Sequence, residues 1–183
     1  MGPSGCGKST LLGCLFGSKK CSGTVRILGN RKVKLSYIQQ DDHLLYMLPI
    51  RESLIYASKL KNVGRKVNHN DVVDGVMKKL GIEQCAKLRP YRCSGGQKKR
   101  ISIALELVSR PNILILDEPT SGLDSVTTEH LVKTLLDLTK DKRHPMAIMA
   151  TIHQPSGPVF NMFHQTYILS HEGQCIYHGP PSL

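Results

Sequence analysis

The first ten residues, MGPSGCGKST, have the spacing G-x-x-x-x-G-K-[ST] that is typical of a phosphate-binding loop. Glycine lacks Cβ, so the backbone can curl with its N–H groups pointing at a polyphosphate, and Lys8 adds a positive charge. Leu11, Leu12 and Leu15 recur at helical spacing, which predicts a helix whose positive end faces the phosphates. The candidate phosphate-binding residues are Gly2, Pro3, Ser4, Gly5, Cys6, Gly7, Lys8, Ser9 and Thr10.

A second group of candidates is the acidic pair Asp117 and Glu118. The apolar run 113–116 predicts a strand that is buried on both faces, and open α/β sheets bind ligands at the carboxyl ends of their strands. We expect Asp117 to hold Mg²⁺ together with the Ser9 hydroxyl, and Glu118 to act as a general base on a water molecule. The alternative is that two acids merely follow a strand.

Two helix starts carry further candidates. Ser94, Gly95, Gly96 and Gln97 precede or open an amphipathic helix and could accept an anion, although an ordinary helix cap accounts for the same residues. Asp124 follows a tight turn, and a plain N-cap is nearly as good an interpretation of it as a functional role.

His153 ends an apolar strand, where it could reach a γ-phosphate or an attacking water. A lone histidine after a strand is more often structural, so this assignment depends on the other motifs.

Composition limits the class of protein. The chain of 183 residues suits one domain, and no apolar run approaches the roughly 18 residues of a membrane span. The net charge of +11 could indicate nucleic acid, but the basic residues are scattered without interleaved aromatics, and a basic surface also suits the anionic cytoplasmic face of a membrane. The six cysteines show no metal-ligand spacing and indicate free thiols.

The predicted elements alternate in type, which indicates an α/β fold with a mostly parallel sheet. Residues 1–40 and 110–183 are interpreted as the core, and residues 41–109 as an inserted helical subdomain. The strands are predicted at 23–28, 32–38, 112–117, 146–152, 166–170 and 174–179. The helices are predicted at 51–60, 71–80, 95–108 and 125–139.

Taken together and in this order, these stretches resemble the nucleotide-binding domain of an ABC transporter, a P-loop NTPase with a RecA-like core. Residues 2–9 resemble Walker A, YIQQDD the Q-loop with Gln40, CSGGQ the signature, ILILDE Walker B, SGLD the D-loop, and His153 the switch histidine. The resemblance implies ATP and Mg²⁺, with Ser9, Gln40 and Asp117 at the metal and Glu118, His153 and Gln40 at the catalytic site.

Several stretches are similar to the G subfamily, the white-type half-transporters of lipids, sterols or pigment precursors. They are MGPSGCGKSTLL, QQDDHLLYMLPIRESLIYASKL, EPTSGLDS and IHQPS. Cys93 stands where the signature usually opens with Leu or Val, and Gln97 stands where this subfamily often has Glu. Both departures leave the Ser94 hydroxyl and the two glycines in place.

The resemblance also implies partners and a location. Two such domains dimerise head to tail, so that Ser94 to Gln97 serve the partner's ATP and Asp124 crosses the interface. The helical subdomain meets a transmembrane domain, which puts the complete protein at the cytoplasmic face of a membrane. No nucleic acid is expected.

Two alternatives remain. One is a soluble ABC-type ATPase that acts on nucleic acid. The other is a fragment truncated at both ends: in the family an adenine-stacking aromatic residue and the early strands precede Walker A, and without them we expect weak ATP binding and little hydrolysis.

Overall fold

The architecture is taken from a computed structural model, which describes residues 1–26 and 33–181. The helices are α1 (Lys8–Phe16), α2 (Ile50–Lys61), α3 (His69–Leu80), α4 (Gly95–Leu107), α5 (Ser125–Thr139) and α6 (Gly157–Phe160). The strands are β1 (Leu35–Ile38), β2 (Ile113–Leu116), β3 (Ala147–Ala150), β4 (Thr166–Leu169) and β5 (Cys175–Gly179). Two short 3₁₀ turns span Glu83–Cys85 and Pro90–Arg92.

The central sheet is parallel and has the order β1-β2-β3. Its register places Leu35 beside Ile113 and Ile113 beside Ala147, so all three strands end at the same edge. Strands β4 and β5 form a separate antiparallel pair. The α/β class with a parallel sheet is therefore confirmed, and the carboxyl edge of that sheet lies beside the phosphate loop.

Local sequence signals account for where the helices begin and end. α1 begins after Gly7 and ends before Gly17, both in the left-handed region with φ of 93° and 85°. This region favours glycine, because a Cβ would clash there. α3 is capped by the side chain of Asn68, and α4 by a reciprocal pair of hydrogen bonds between Ser94 and Gln97. The predicted helices at 51–60, 71–80, 95–108 and 125–139 agree with these bounds within two residues.

Two predicted strands differ from the structure. The strand predicted at 23–28 does not form over 23–26, and residues 27 and 28 lie outside the described residues. Within the described chain no strand pairs with 23–26, and a strand needs a hydrogen-bonded neighbour to be stable. The strand predicted at 32–38 is shorter, Leu35–Ile38, and residue 32 also lies outside the described part.

A third difference concerns the burial of β3, because the apolar run MAIMA at 146–150 predicts a buried strand. Its residues are alternately exposed and half-buried, and Met149 is 41% exposed. A cavity of about 790 Å³ lies between β3 and β4 and is lined largely by apolar side chains of α1, α5, β3 and β4. Since the described residues give β3 a hydrogen-bonded neighbour on only one side, the other side faces this cavity.

The hydrophobic core extends from the sheet into the helices. Leu54 of α2, Val73 of α3 and Ile103 of α4 are fully buried and belong to one cluster with Leu114 and Leu116 of β2. The division into a core and a helical subdomain at 41–109 stays a prediction. In the described parts of the chain, no helix combines the length and apolar character that a bilayer span requires.

All six cysteines have free thiols, as predicted. Cys6 in the phosphate loop is buried, whereas Cys175 in β5 is exposed.

Candidate functional site

The phosphate loop has the conformation that its glycines predict. Gly2, Gly5 and Gly7 have φ of 151°, 80° and 93°. At Gly2 a Cβ would lie 2.8 Å from both the Cys6 Sγ and the Leu169 carbonyl oxygen, so a larger residue would also collide with its surroundings. Alternation of left-handed and right-handed residues at a helix start turns successive N–H groups to one side and forms an anion-binding nest.

Lys8 lies folded over this loop and is buried. Its ammonium donates hydrogen bonds to the carbonyls of Gly2 at 3.0 Å and Pro3 at 2.9 Å, and lies 3.8 Å from Oε1 of Glu118. The positive charge is therefore held between the loop and the acidic strand end. Both an anion in the loop and the Glu118 carboxylate can be stabilised by it.

Asp117 is buried where β2 ends and accepts hydrogen bonds from three hydroxyl groups. Oδ1 accepts from Ser9 at 2.9 Å and from Thr151 at 2.6 Å, and Oδ2 accepts from Tyr37 at 3.1 Å. The Ser9 contact joins residues that are 108 positions apart in the chain. Hydroxyl and carboxylate oxygens are ligands that Mg²⁺ prefers, so Ser9 and Asp117 fit such an ion.

Glu118 has a strained backbone, with φ of 45°. Left-handed conformations are uncommon for residues other than glycine and occur often at functional sites. Its N–H donates to the Thr151 hydroxyl at 2.8 Å, and its half-buried carboxylate points toward Lys8. The strained turn at the end of β2 thus aims an acid at the phosphate loop.

His153 and Gln40 differ in how they meet the other candidates. Nε2 of His153 lies 3.5 Å from Oγ of Ser4, so the structure brings this exposed histidine to the phosphate loop. Gln40 is exposed, and its backbone carbonyl accepts a hydrogen bond from the Lys99 ammonium at 2.8 Å. Among the described residues its side chain makes no hydrogen bond. Its side chain can therefore turn toward a ligand.

Ser94 to Gln97 form a helix start that is separate from the phosphate loop. The Ser94 hydroxyl accepts from the Gln97 N–H at 3.3 Å, and Oε1 of Gln97 accepts from the Ser94 N–H at 2.9 Å. No hydrogen bond among the described residues joins this segment to the phosphate loop. Gly95 lies against Leu123 and Gly96 against Thr127, where a Cβ on Gly96 would come within 2.4 Å of Cγ2 of Thr127.

Asp124 acts as the N-cap of α5. Its carboxylate accepts from the N–H of Thr127 at 2.9 Å and from the Thr127 hydroxyl at 2.6 Å. These hydrogen bonds lower the pKa of Asp124. The structure thus supplies a structural role for Asp124, and its predicted place at a dimer interface stays a prediction.

Two hydroxyl groups at the site were missed at the sequence level. Tyr37 of β1 and Thr151, directly after β3, both donate to Asp117. Burial and the neighbouring Asp117 carboxylate raise the pKa of Tyr37 to about 12, so it stays a donor at neutral pH. The available signal was a hydroxyl-bearing residue near the carboxyl end of each of two predicted strands, Tyr37 in 32–38 and Thr151 in 146–152.

Comparison with known proteins gives a family. The ABC transporter family model matches residues 1–121. ABC transporter G family member 1 of Petunia hybrida is 39% identical over 100% of this chain, and member 11 of Arabidopsis thaliana is 40% identical over 100%. The broad substrate specificity ATP-binding cassette transporter ABCG2 of Sus scrofa is 36% identical over 98%. The chain spans 30%, 28% and 29% of these proteins, respectively.

Solved structures give the same assignment of the fold. CbiO1 of Clostridium perfringens, part of the ABC transporter complex cbiONQ, has a TM-score of 0.81 and 27% identity over 99% of this chain and 75% of its own. An inward-facing metal-chelate type ABC transporter has a TM-score of 0.80 and 25% identity over 99% of this chain and 70% of its own. The P-loop NTPase architecture predicted from the motifs is therefore confirmed.

Proposed function

Because the chain belongs to the ABC transporter family, we propose that it is the ATP-hydrolysing cassette of a G-type half-transporter that exports a lipid, sterol or pigment precursor. The family's domains bind ATP, typically with Mg²⁺, and work with a transmembrane domain and a second nucleotide-binding domain. The fold and the relatives support this ATPase class. The cargo, the direction of transport and the partners of this protein are our proposals.

The observation that carries the proposal is the hydrogen bond from the Ser9 hydroxyl to Asp117, at 2.9 Å. It joins the start of α1 to the end of β2, so that the anion-binding loop and the acidic pair share one site. A chance glycine-rich turn would have no reason to meet a buried carboxylate there.

The binding roles follow from the chemistry of each group. The backbone N–H groups of residues 2–10 and the Lys8 ammonium bind the phosphates. Ser9 and Asp117 would hold Mg²⁺, and the exposed side chain of Gln40 would supply a further oxygen ligand. A bound Mg²⁺ would neutralise phosphate charge.

The hydrolytic roles fall to Glu118 and His153. We assign Glu118 as the general base that orients and deprotonates water, because its carboxylate emerges beside Lys8 at the carboxyl edge of the sheet. His153 lies 3.5 Å from Ser4 of the phosphate loop, so it would contact the γ-phosphate of a bound nucleotide.

The second helix start suits a partner's nucleotide. Ser94 to Gln97 open α4 with an exposed serine and lie away from the chain's own phosphate loop. A head-to-tail dimer would bring this segment onto the partner's ATP, with Asp124 at the interface. The helical residues 41–109 would contact a transmembrane domain at the cytoplasmic face of the membrane.

Equilibrium binding of a fluorescent ATP analogue to the purified protein tests the binding roles. Lys8→Ala should weaken binding roughly 10- to 100-fold, because it removes a charge-assisted contact to phosphate. Lys20→Ala removes an exposed lysine near α1 and is the matched control. Equal affinity of the two variants would exclude this loop as the nucleotide site.

The steady-state rate of ATP hydrolysis tests the role of Glu118 as the general base. Glu118→Gln should keep ATP binding and lower kcat by about 10²- to 10⁴-fold, the range found for loss of a general base. Glu172→Gln changes an exposed acid near β5 and should leave kcat unchanged. Retained hydrolysis by Glu118→Gln would remove Glu118 from the mechanism.

A further inference from the structure

Thr151 occupies a fixed position at the junction of the site. It follows β3 directly and is only 5% exposed. Its N–H donates to the carbonyl of Leu116 at 3.0 Å, which extends the pairing of β2 and β3 by one residue. The backbone that carries the Thr151 hydroxyl is therefore held by the sheet.

The hydroxyl of Thr151 uses both its donor and its acceptor capacity on two consecutive residues. It donates to Oδ1 of Asp117 at 2.6 Å and accepts from the N–H of Glu118 at 2.8 Å. A hydroxyl has a single proton to donate, so these two contacts fix its orientation. One side chain thereby sets the relative positions of the metal-binding acid and the base.

The contact with Glu118 supports a conformation that this residue does not adopt readily. Glu118 has φ of 45°, and such a conformation persists only when surrounding contacts hold it. The Thr151 hydroxyl is the acceptor for the N–H of that peptide. Without it the peptide could rotate, and the Glu118 carboxylate would swing away from Lys8.

We propose that Thr151 is a positioning residue, which holds the Asp117 carboxylate and the Glu118 peptide in the geometry needed for ATP hydrolysis. This inference rests on the proposed function for its catalytic consequence. Thr151 also lies two residues before His153, so the same segment of chain carries both the hydroxyl that binds Asp117 and the histidine that contacts Ser4.

Two substitutions at Thr151 separate the effect of its hydroxyl from the effect of its packing. Thr151→Val keeps the branched shape and removes the hydroxyl, whereas Thr151→Ser keeps the hydroxyl. Thr151→Val should lower kcat roughly 10- to 100-fold, since small misplacements of catalytic groups have effects of this size, and should change KM for ATP less than about threefold. Thr151→Ser should retain most of the wild-type kcat.

The control is Thr134→Val, which removes a hydroxyl that donates to the His130 carbonyl within α5. It should leave kcat and KM unchanged. Equal kcat for wild type and Thr151→Val would overturn the positioning role.

A second measurement does not depend on activity. In amide hydrogen exchange followed by NMR, Thr151→Val should speed exchange of the Glu118 N–H about tenfold or more, while Thr151→Ser and wild type agree. The amide of Val73, in the core of α3, should be unaffected by either change. Unchanged exchange at Glu118, or equal acceleration at Val73, would overturn the inference.

The two readouts also separate this inference from the function it rests on. A wild-type protein that binds no ATP would refute the proposed function, whereas Glu118 exchange would still decide whether Thr151 positions that peptide.

Discussion

Gly96 should tolerate no side chain, although its neighbour Gly95 should. A Cβ on Gly96 would lie 2.4 Å from Cγ2 of Thr127, about 1 Å closer than the 3.4 Å at which ordinary contact begins. Thr127 cannot turn aside freely, because its N–H and its hydroxyl both donate to Asp124. Overpacking of this kind costs about 1–3 kcal/mol.

The gain in helix propensity from alanine offsets part of this cost. In a helix interior alanine is favoured over glycine by about 1 kcal/mol, and less in the first turn, where Gly96 lies. We therefore expect Gly96→Ala to lower the free energy of unfolding by about 1–2 kcal/mol. For a domain of this size the corresponding fall in Tm is about 2–8 °C.

Thermal and urea unfolding of the wild type and four variants test this expectation: Gly96→Ala, Gly95→Ala, Thr127→Ser and the double variant of Thr127→Ser with Gly96→Ala. Gly95→Ala is the matched control, because its Cβ would meet Cδ2 of Leu123 at an ordinary 3.7 Å. Thr127→Ser removes the clashing methyl and keeps both hydrogen bonds to Asp124. In the Thr127→Ser background Gly96→Ala should leave the free energy of unfolding almost unchanged. If Gly96→Ala lowers it by as much as in the wild type, a clash with the Thr127 methyl is refuted as the cause.

Two further predictions concern ion pairs. Asp42→Ala should cost about 3 kcal/mol in urea unfolding, because the ammonium of Lys99, which is 4% exposed and 3.0 Å from Asp42, would lose its carboxylate. Lys99→Met should lower the free energy of unfolding by less than Asp42→Ala does, because the Asp42 side chain is 20% exposed and retains access to water. Equal losses of stability in the two variants would contradict this. Hydrogen bonds from the Lys79 ammonium and the Arg143 N–H lower the pKa of Asp141 from 3.8 to about 2, so the stability that they contribute is present above about pH 4 and is lost as the pH falls toward 2. The difference in urea midpoint between wild type and Lys79→Met should therefore shrink over that range, and a constant difference would argue against the linkage.

The chemistry of the site was predictable where it depends on residue types at fixed spacing. The phosphate loop must have small residues and a lysine at set offsets, and an acidic pair directly after an apolar strand suits a cation and a water molecule beside such a loop. The contact of Ser9 with Asp117 agrees with that expectation. Helix bounds were also predictable, because caps such as Asn68 and terminal glycines such as Gly81 act locally.

Contacts that depend on strand order and register were not predictable. Tyr37 reaches Asp117 because β1 lies beside β2, and Thr151 does so because β3 lies on the other side. A sequence pattern does not contain that order. Gly96 was assigned to anion binding from its local motif, whereas the steric demand on it comes from Thr127, which is far along the chain.

The exposed side of β3 has a consequence for the behaviour of the protein in solution. Among the described residues β3 is paired on one side only, and a strand edge beside an apolar cavity is a template on which another extended chain can pair. Electrostatic repulsion between molecules of net charge +11 opposes such pairing, and dissolved salt screens it over about 8–10 Å. A rise in ionic strength would therefore weaken the repulsion that opposes such pairing, while it has little effect on the buried contacts of the core.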